Sequence, residues 1–431
     1  MANTANKSKA QRRVVITGMG VISPLGNDPR QCFEQIASGV SAGRAYPEDS
    51  SAVRGLSVAA VVPDFDGGAV VGKKNIKRTS RFLQMGLATA RSARADANFA
   101  AAGYAPDRVG CLFGSSLGGL EMVHETASGL AASGLRGVSP FLLPGSLNNM
   151  AAGMIAIDAG VNGPCYAVSA GWASSMYALG HAFEMVRSGT ADAMLTGGSE
   201  SILEAPLATA VLSRSGLFID ALGMKSVNMD MDKPNEASRP FDETRRGAVA
   251  AEGAAMLVLE SFDSAVARGA TLYAEVLGYA SMFAPTANHV RGSWTPVMVS
   301  CMQQALRSAN VDPREVQYIN AYGSASPLTD AMETSAVKQV FGGHASELWL
   351  SSTKGSVGHM LGASGAFETA MTSLALQRGL LPPTANLKTR DPACDLDYMS
   401  GAARERRVTI AMKNTFGESG HCGSLILRIA A

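Results

Sequence analysis

The stretch Gly163-Pro-Cys-Tyr-Ala-Val-Ser-Ala-Gly-Trp172-Ala-Ser-Ser-Met-Tyr-Ala-Leu-Gly180 decides how this chain is read. A short strand-like run ends in small residues. A segment of helical period, Ala173–Ser188, begins at once, with Gly189 as its stop. A side chain at such a junction faces the positive end of a helix dipole, where an ionisable group is activated. The residue there is Trp172, whose indole neither ionises nor attacks a carbonyl. Gly171, Ala173, Ser174 and Ser175 are small and leave room for the ring. The expectation is an aromatic stopper in a close-packed site, its Nε1–H needing one acceptor.

The 431 residues exceed one ordinary core, so two domains or a fused duplication are expected. Hydrophobic content of 46% against 17% charge points to a well-buried globular chain and excludes disorder. A net charge of +1 gives no reason to expect nucleic-acid or membrane affinity. Six cysteines (Cys32, Cys111, Cys165, Cys301, Cys394 and Cys422) lie scattered, without CxxC or metal-ligand spacing. They fit free thiols in a reducing compartment, and no metal site is expected. The polar start Met1–Ala10 lacks the apolar core of a signal peptide, and no run of about 18 apolar residues suggests a membrane span. A cytoplasmic protein with a disordered leader over residues 1–11 is expected.

Short β-branched runs alternate with longer Ala-rich segments of helical period, the pattern of an α/β protein. Val14–Thr17, Arg108–Gly114, Ala193–Thr196 and Ala255–Glu260 read as strands in the first half, and Gly72–Ala95 reads as a helix. Tyr273–Leu277, Tyr318–Ala321, Leu348–Leu350, Val408–Met412 and Leu425–Ile429 read as strands in the second. The polar, Met-rich stretch of about 212–240 reads as an excursion between core elements. Periodicity alone supports an α/β fold with two halves.

Five further stretches occur in a telling order. They are Arg13-Val-Val-Ile-Thr-Gly-Met-Gly-Val-Ile-Ser-Pro-Leu-Gly26; Arg239-Pro-Phe-Asp-Glu-Thr-Arg-Arg-Gly247 with Glu252-Gly253; Asn320-Ala-Tyr-Gly-Ser-Ala-Ser-Pro-Leu-Thr-Asp330; Ser352-Thr-Lys-Gly-Ser-Val-Gly-His-Met-Leu-Gly-Ala-Ser-Gly-Ala-Phe-Glu368; and Asn414-Thr-Phe-Gly-Glu-Ser-Gly420. Together with the Trp172 stretch they resemble the β-ketoacyl-acyl-carrier-protein synthases of the elongating type, from about residue 12 to the end. The resemblance implies a thiolase-like duplicated α/β/α/β/α five-layer sandwich, with an N-terminal half over 12–265 and a C-terminal half over 266–431. It also implies catalysis without a bound cofactor, on phosphopantetheine thioesters of acyl carrier protein.

That family's chemistry uses a cysteine to accept the acyl group, two histidines to stabilise an enolate and a lysine to order the site. Here Trp172 stands at the cysteine position, and the indole is expected to plug the place where acyl chain and carrier arm would meet. Cys165, seven residues earlier, is expected to be a core residue and not a substitute nucleophile. Tyr322 stands at the first histidine position. It either donates one hydrogen bond to an oxyanion or packs beside Trp172. Lys354, His359 and Glu368 match the family pattern, as chemical groups or as loop anchors. After Phe416 the family's gating phenylalanine is replaced: the chain reads Gly417-Glu418-Ser-Gly420. An unpaired carboxylate is a poor apolar gate, so Glu418 is expected to face water or a cation such as Lys354. Lys73, Lys74, Lys77, Arg78 and Arg81 cluster near the expected helix start and suit an acidic carrier protein or a subunit contact.

Three functions are open on this reading. The first is a non-condensing, chain-length-factor-like partner of an active ketosynthase in a heterodimer, with condensation only when a cysteine-bearing mate is present. The second is an enzyme of altered chemistry, decarboxylating a malonyl thioester or transferring an acyl group without a covalent intermediate. The third is a homodimeric scaffold that binds acyl groups or carrier protein.

Overall fold

The computed structural model describes residues 11–46, 58–203, 233–285, 294–417 and 420–430. Residues 1–10 of the leader, most of the 212–240 excursion and Glu418 lie outside them. Ten strands form the central framework: β1 (Val14–Ile22), β2 (Val109–Gly114), β3 (Cys165–Val168), β4 (Ala193–Glu200), β5 (Gly253–Ser261), β6 (Ala274–Phe283), β7 (Tyr318–Asn320), β8 (Trp349–Ser351), β9 (Ile410–Phe416) and β10 (His421–Ile429). Their order is β8-β7-β9-β10-β6-β1-β5-β4-β2-β3.

The duplication is visible in this order. From β1 outward the first half runs first, fifth, fourth, second, third strand; from β6 outward the second half does the same. In both, two antiparallel pairings are followed by two parallel ones. The halves join where Val14–Ile16 of β1 pairs antiparallel with Ala274–Val276 of β6.

Helices α1 (Arg81–Asp96), α2 (Leu120–Ser133), α3 (Asn148–Ala159), α4 (Ser174–Arg187), α5 (Thr295–Ala309), α6 (Pro327–Phe341) and α7 (Ser364–Arg378) complete the layers. Helix α7 is buried on every side from Ser364 through Leu376, as a helix of a middle layer must be. Helix α4 packs against it, and both are rich in Ala, Gly and Ser. The sheet approaches closely because its strand ends are small too. A Cβ on Gly114 would lie 2.4 Å from the Ser174 carbonyl carbon, and one on Gly198 would lie 2.9 Å from Ser175 Cβ. The thiolase-like five-layer fold is therefore present, and its middle helices bring the ends of both halves to one place.

Three local expectations need correction. The helix expected over Gly72–Ala95 starts at Arg81. Gly72 has φ +83°, a single 3-10 turn covers Ile76–Arg78, and Thr79 and Ser80 are extended before the helix begins. The strands β4 and β9 run further than their apolar cores, through Glu200 and Phe416. Cys165 is exposed and not core, because β3 is the outermost strand of the sheet.

Candidate functional site

Strand β3 leads into a tight turn at Ala170–Trp172, where Gly171 takes φ +54°, a conformation in which a Cβ would be strained. Ser174 at the head of α4 fastens this turn: Ala170 N–H donates to its Oγ at 3.0 Å, and Oγ donates to Gly171 O at 2.5 Å. Trp172 is thereby presented at the helix start. It is 8% exposed and packs with Ala59, Ile202, Leu203, Ala250 and Leu361.

Its neighbour is His359. The two ring centroids are 4.8 Å apart in an edge-on arrangement. The second half delivers His359 through a turn that follows the short helix Lys354–Val357, and the His359 backbone is bonded on both sides to the chain at Val249 and Ala251. The imidazole tautomer follows from its partners. Leu361 N–H can only donate, and it points at Nδ1 at 3.0 Å, so Nδ1 is unprotonated. The proton is on Nε2, which donates to Tyr322 Oη at 3.1 Å. Full burial, reinforced by the positive charges of Lys354 and Lys413, holds the His359 pKa well below its ordinary value, so the ring is neutral.

Tyr322, just after β7, is completely buried, and its ring meets those of His359 and Phe416 at 5.6 and 6.2 Å. Trp172, His359, Tyr322 and Phe416 thus form one aromatic array across the junction of the halves. His359 is in edge contact with both Trp172 and Tyr322, a placement that spacing along the chain could not show.

Behind the array lies a buried charge cluster. Lys354 Nζ donates to Glu368 Oε1 at 2.5 Å and to Tyr322 O at 2.7 Å, and sits 4.6 Å from the Tyr322 ring centroid. Lys413 Nζ forms an ion pair with Glu368 Oε2 at 2.8 Å. Glu333 accepts the N–H groups of Tyr322 and Gly323, both at 2.9 Å. Burial pushes the Lys413 pKa down to about 8, against the pull of Glu368.

Lys413 and Glu333 were not singled out in the sequence. A lysine inside an apolar strand was the available signal for the first; Glu333 gave none. Lys354 is held by Glu368; Glu418, which the sequence reading set against water or a cation such as Lys354, lies outside the described residues. Partial burial pushes the Cys165 thiol pKa up, which disfavours the thiolate a nucleophile needs. Among the described residues no group of three His, Cys, Asp or Glu side chains is placed to hold a metal ion, and no helix is long and apolar enough to cross a membrane.

The basic cluster lies on the turn before α1. Arg81 faces inward, its guanidinium bonded to both oxygens of buried Glu252 at 3.0 and 2.9 Å. Lys73, Lys74, Lys77 and Arg78 remain exposed, with Arg78 over the Phe141 ring at 4.6 Å. Arg81 is a structural member of the set.

A duplicated five-layer fold with its site at the head of a middle helix is the architecture of a condensing-enzyme scaffold. The chain belongs to the β-ketoacyl synthase family: the N-terminal domain of that family matches residues 11–265 and the C-terminal domain residues 273–388. It is 37% identical over 419 residues to 3-oxoacyl-[acyl-carrier-protein] synthase 2 of Coxiella burnetii, covering 97% of this chain and 98% of that one. Identity to the synthase of the same name from Staphylococcus aureus (strain N315) is 37% over 423 residues, with the same coverage. Among solved structures, the ishigamide ketosynthase/chain length factor superposes with a TM-score of 0.88 at 29% identity, covering 98% of this chain and all of that one. A β-ketoacyl synthase from Burkholderia phymatum STM815 gives 0.87 at 31% identity, covering 97% of this chain and all of that one. The AntDE:AntF complex, a type II polyketide acyl-carrier protein with its ketosynthase, gives 0.86 at 29%, covering 97% and 100%.

Proposed function

We propose that this chain is a non-condensing ketosynthase-fold subunit of fatty-acid or polyketide synthesis, acting like a chain-length factor beside a cysteine-bearing ketosynthase. The observation that carries this reading is the edge contact of Trp172 with His359 at the head of α4. The indole takes the place of the acyl-accepting thiol, so no covalent acyl-enzyme can form there. The retained imidazole has its N–H engaged by Tyr322, which leaves it without a donor for an enolate oxygen. For the same reason decarboxylation by this chain alone has less support.

A mate is favoured by β3, which is the last strand of the sheet among the described residues. The helix that packs against it, α3, exposes Ile157 at 82%. A surface of that kind suits a second ketosynthase-fold subunit. Carrier protein, named in the AntDE:AntF complex, suits the exposed cluster of Lys73, Lys74, Lys77 and Arg78 by charge. The test is condensation from malonyl and acyl carrier protein. No β-ketoacyl product is expected from this chain alone, and product is expected once a cysteine-bearing ketosynthase that copurifies with it is added. Product from the isolated chain would contradict the reading.

A further inference from the structure

Cys111 on β2 and Cys165 on β3 stand directly opposite each other in the parallel pairing of the two strands. Among the described residues no other cysteine faces a cysteine across a strand pair. Both are free thiols, Cys111 buried and Cys165 exposed. Residues so paired project to one face of the sheet, here the face on which Cys111 packs with Phe82 and Leu87 of α1 and Ile155 of α3. Neighbouring strands run about 4.7–4.9 Å apart, inside the span of about 4.4–6.8 Å that the two Cα atoms of a disulfide take. The backbones are held together where the pair begins. Cys111 N–H donates to Pro164 O at 2.8 Å, and Gly163 N–H donates to Val109 O at 2.9 Å. Glycine permits this approach on both strands: a Cβ on Gly110 would press on the Pro164 carbonyl oxygen, and one on Gly163 would lie 2.5 Å from Val109 O.

We propose that Cys111 and Cys165 are a redox-active pair that closes into an intrachain disulfide by exchange with a low-molecular-weight disulfide such as glutathione disulfide. The Cys165 thiolate attacks one sulfur of the reagent, the S–S bond of the reagent breaks, and one glutathione leaves. The Cys111 thiolate then attacks the Cys165 sulfur of the mixed disulfide and expels the second glutathione. Two protein thiols are oxidised, the reagent is reduced, and the two thiol protons end on the two glutathione thiolates.

The division of labour follows from position. Cys165 is the first residue of β3, the last strand of the sheet among the described residues, and is open to solvent. Cys111 lies between β3 and β4, fully buried, where a bulky reagent does not reach it but the neighbouring sulfur does. Burial raises the pKa of both thiols, Cys111 the more, which slows the exchange; the outcome is therefore read at equilibrium. The bond ties β3, which runs on into the turn that carries Trp172, to its inner neighbour. It does not depend on the reading of Trp172 as a plug.

The test uses the full chain, folded and without any mate, held in glutathione buffers of rising disulfide content until no further change occurs. Free thiols are then blocked by alkylation, and the protein is weighed intact and after digestion. The parent is expected to lose two hydrogens and to yield one cross-linked pair of peptides, Cys111 with Cys165, which dithiothreitol separates. Cys111→Ala is expected to stop at the mixed disulfide, with one glutathione on Cys165. Cys165→Ser is expected to leave Cys111 reduced. The parent alone decides if the Cys111 variant does not fold. Glutathione accumulating on Cys165 of the parent, a covalent dimer through Cys165, or a parent left fully reduced would each overturn the proposal. So would a link scattered over Cys32, Cys301, Cys394 and Cys422, because it would have formed in unfolded chains.

Discussion

Trp172→Cys is expected to gain a thiol that electrophiles label, and no measurable condensing activity. The new thiol would sit at the head of α4, where the helix N-terminus favours the thiolate. Alkylation by a chloroacetyl thioester reads that gain. Condensation needs more than a nucleophile. His359 Nε2–H is held by Tyr322, and Tyr322, which the proposed reading sets at the first-histidine position, is a phenol and not an imidazole. The same variant empties the volume of an indole from a cluster of Ala59, Ile202, Leu203, Ala250 and Leu361. Losses of buried aromatic rings run to about 3–5 kcal/mol, so a clear fall in denaturation midpoint should accompany the labelling. β-Ketoacyl product from the single variant, at rates comparable with an active synthase, would show that the site lacks only sulfur.

Glu368→Ala is expected to cost about 3–5 kcal/mol of unfolding free energy, because it strands two buried ammonium groups at once. Lys354 and Glu368 are each about 1% exposed at the side chain and Lys413 is 0% exposed. The contrast is Asp395→Ala, which breaks the pair with Lys338. Both of those groups are 49% exposed, and such pairs contribute only about 0–1 kcal/mol. Urea titration of the two variants side by side checks the difference. Equal effects would mean that the buried cluster is hydrated and that burial is the wrong guide to its energetics.

The sequence was most legible where a residue's local context is enough. The apolar runs at Val109–Gly114 and Ala255–Glu260 become strands because parallel and inner strands are covered on both faces. The helix after Trp172 starts at Ser174 and ends at Arg187, close to the expected bounds, since the small residues before it and Gly189 after it act locally. Legibility failed where distant partners decide. Strand β9 continues through Lys413 because Glu368, on a helix of the other layer, compensates the lysine; read locally, a charge marks a strand's end. Strand β4 continues through Glu200 for a similar reason, its carboxylate accepting the Ser116 N–H. Cys165 reads as core by type, but the exposure of β3 depends on its being last in the sheet. Arg81 reads as one of five equivalent surface cations until Glu252, far along the chain, claims it.

The candidate site shows the same division. Motif order placed Trp172, Tyr322, Lys354, His359 and Glu368, and the fold gathers all five around the junction of the two halves. What spacing could not supply was the engagement of the His359 proton by Tyr322 and the second lysine on Glu368. Both are contacts across elements, and sequence spacing carries no signal for either.

Intact-mass spectrometry of the isolated chain after incubation with acyl carrier protein thioesters tests the central claim most directly. An unchanged protein mass is the result this account predicts, since the indole at the head of α4 offers no atom for acyl transfer. A mass gain equal to one acyl group, mapped by digestion to any residue at the junction of the halves, would contradict it.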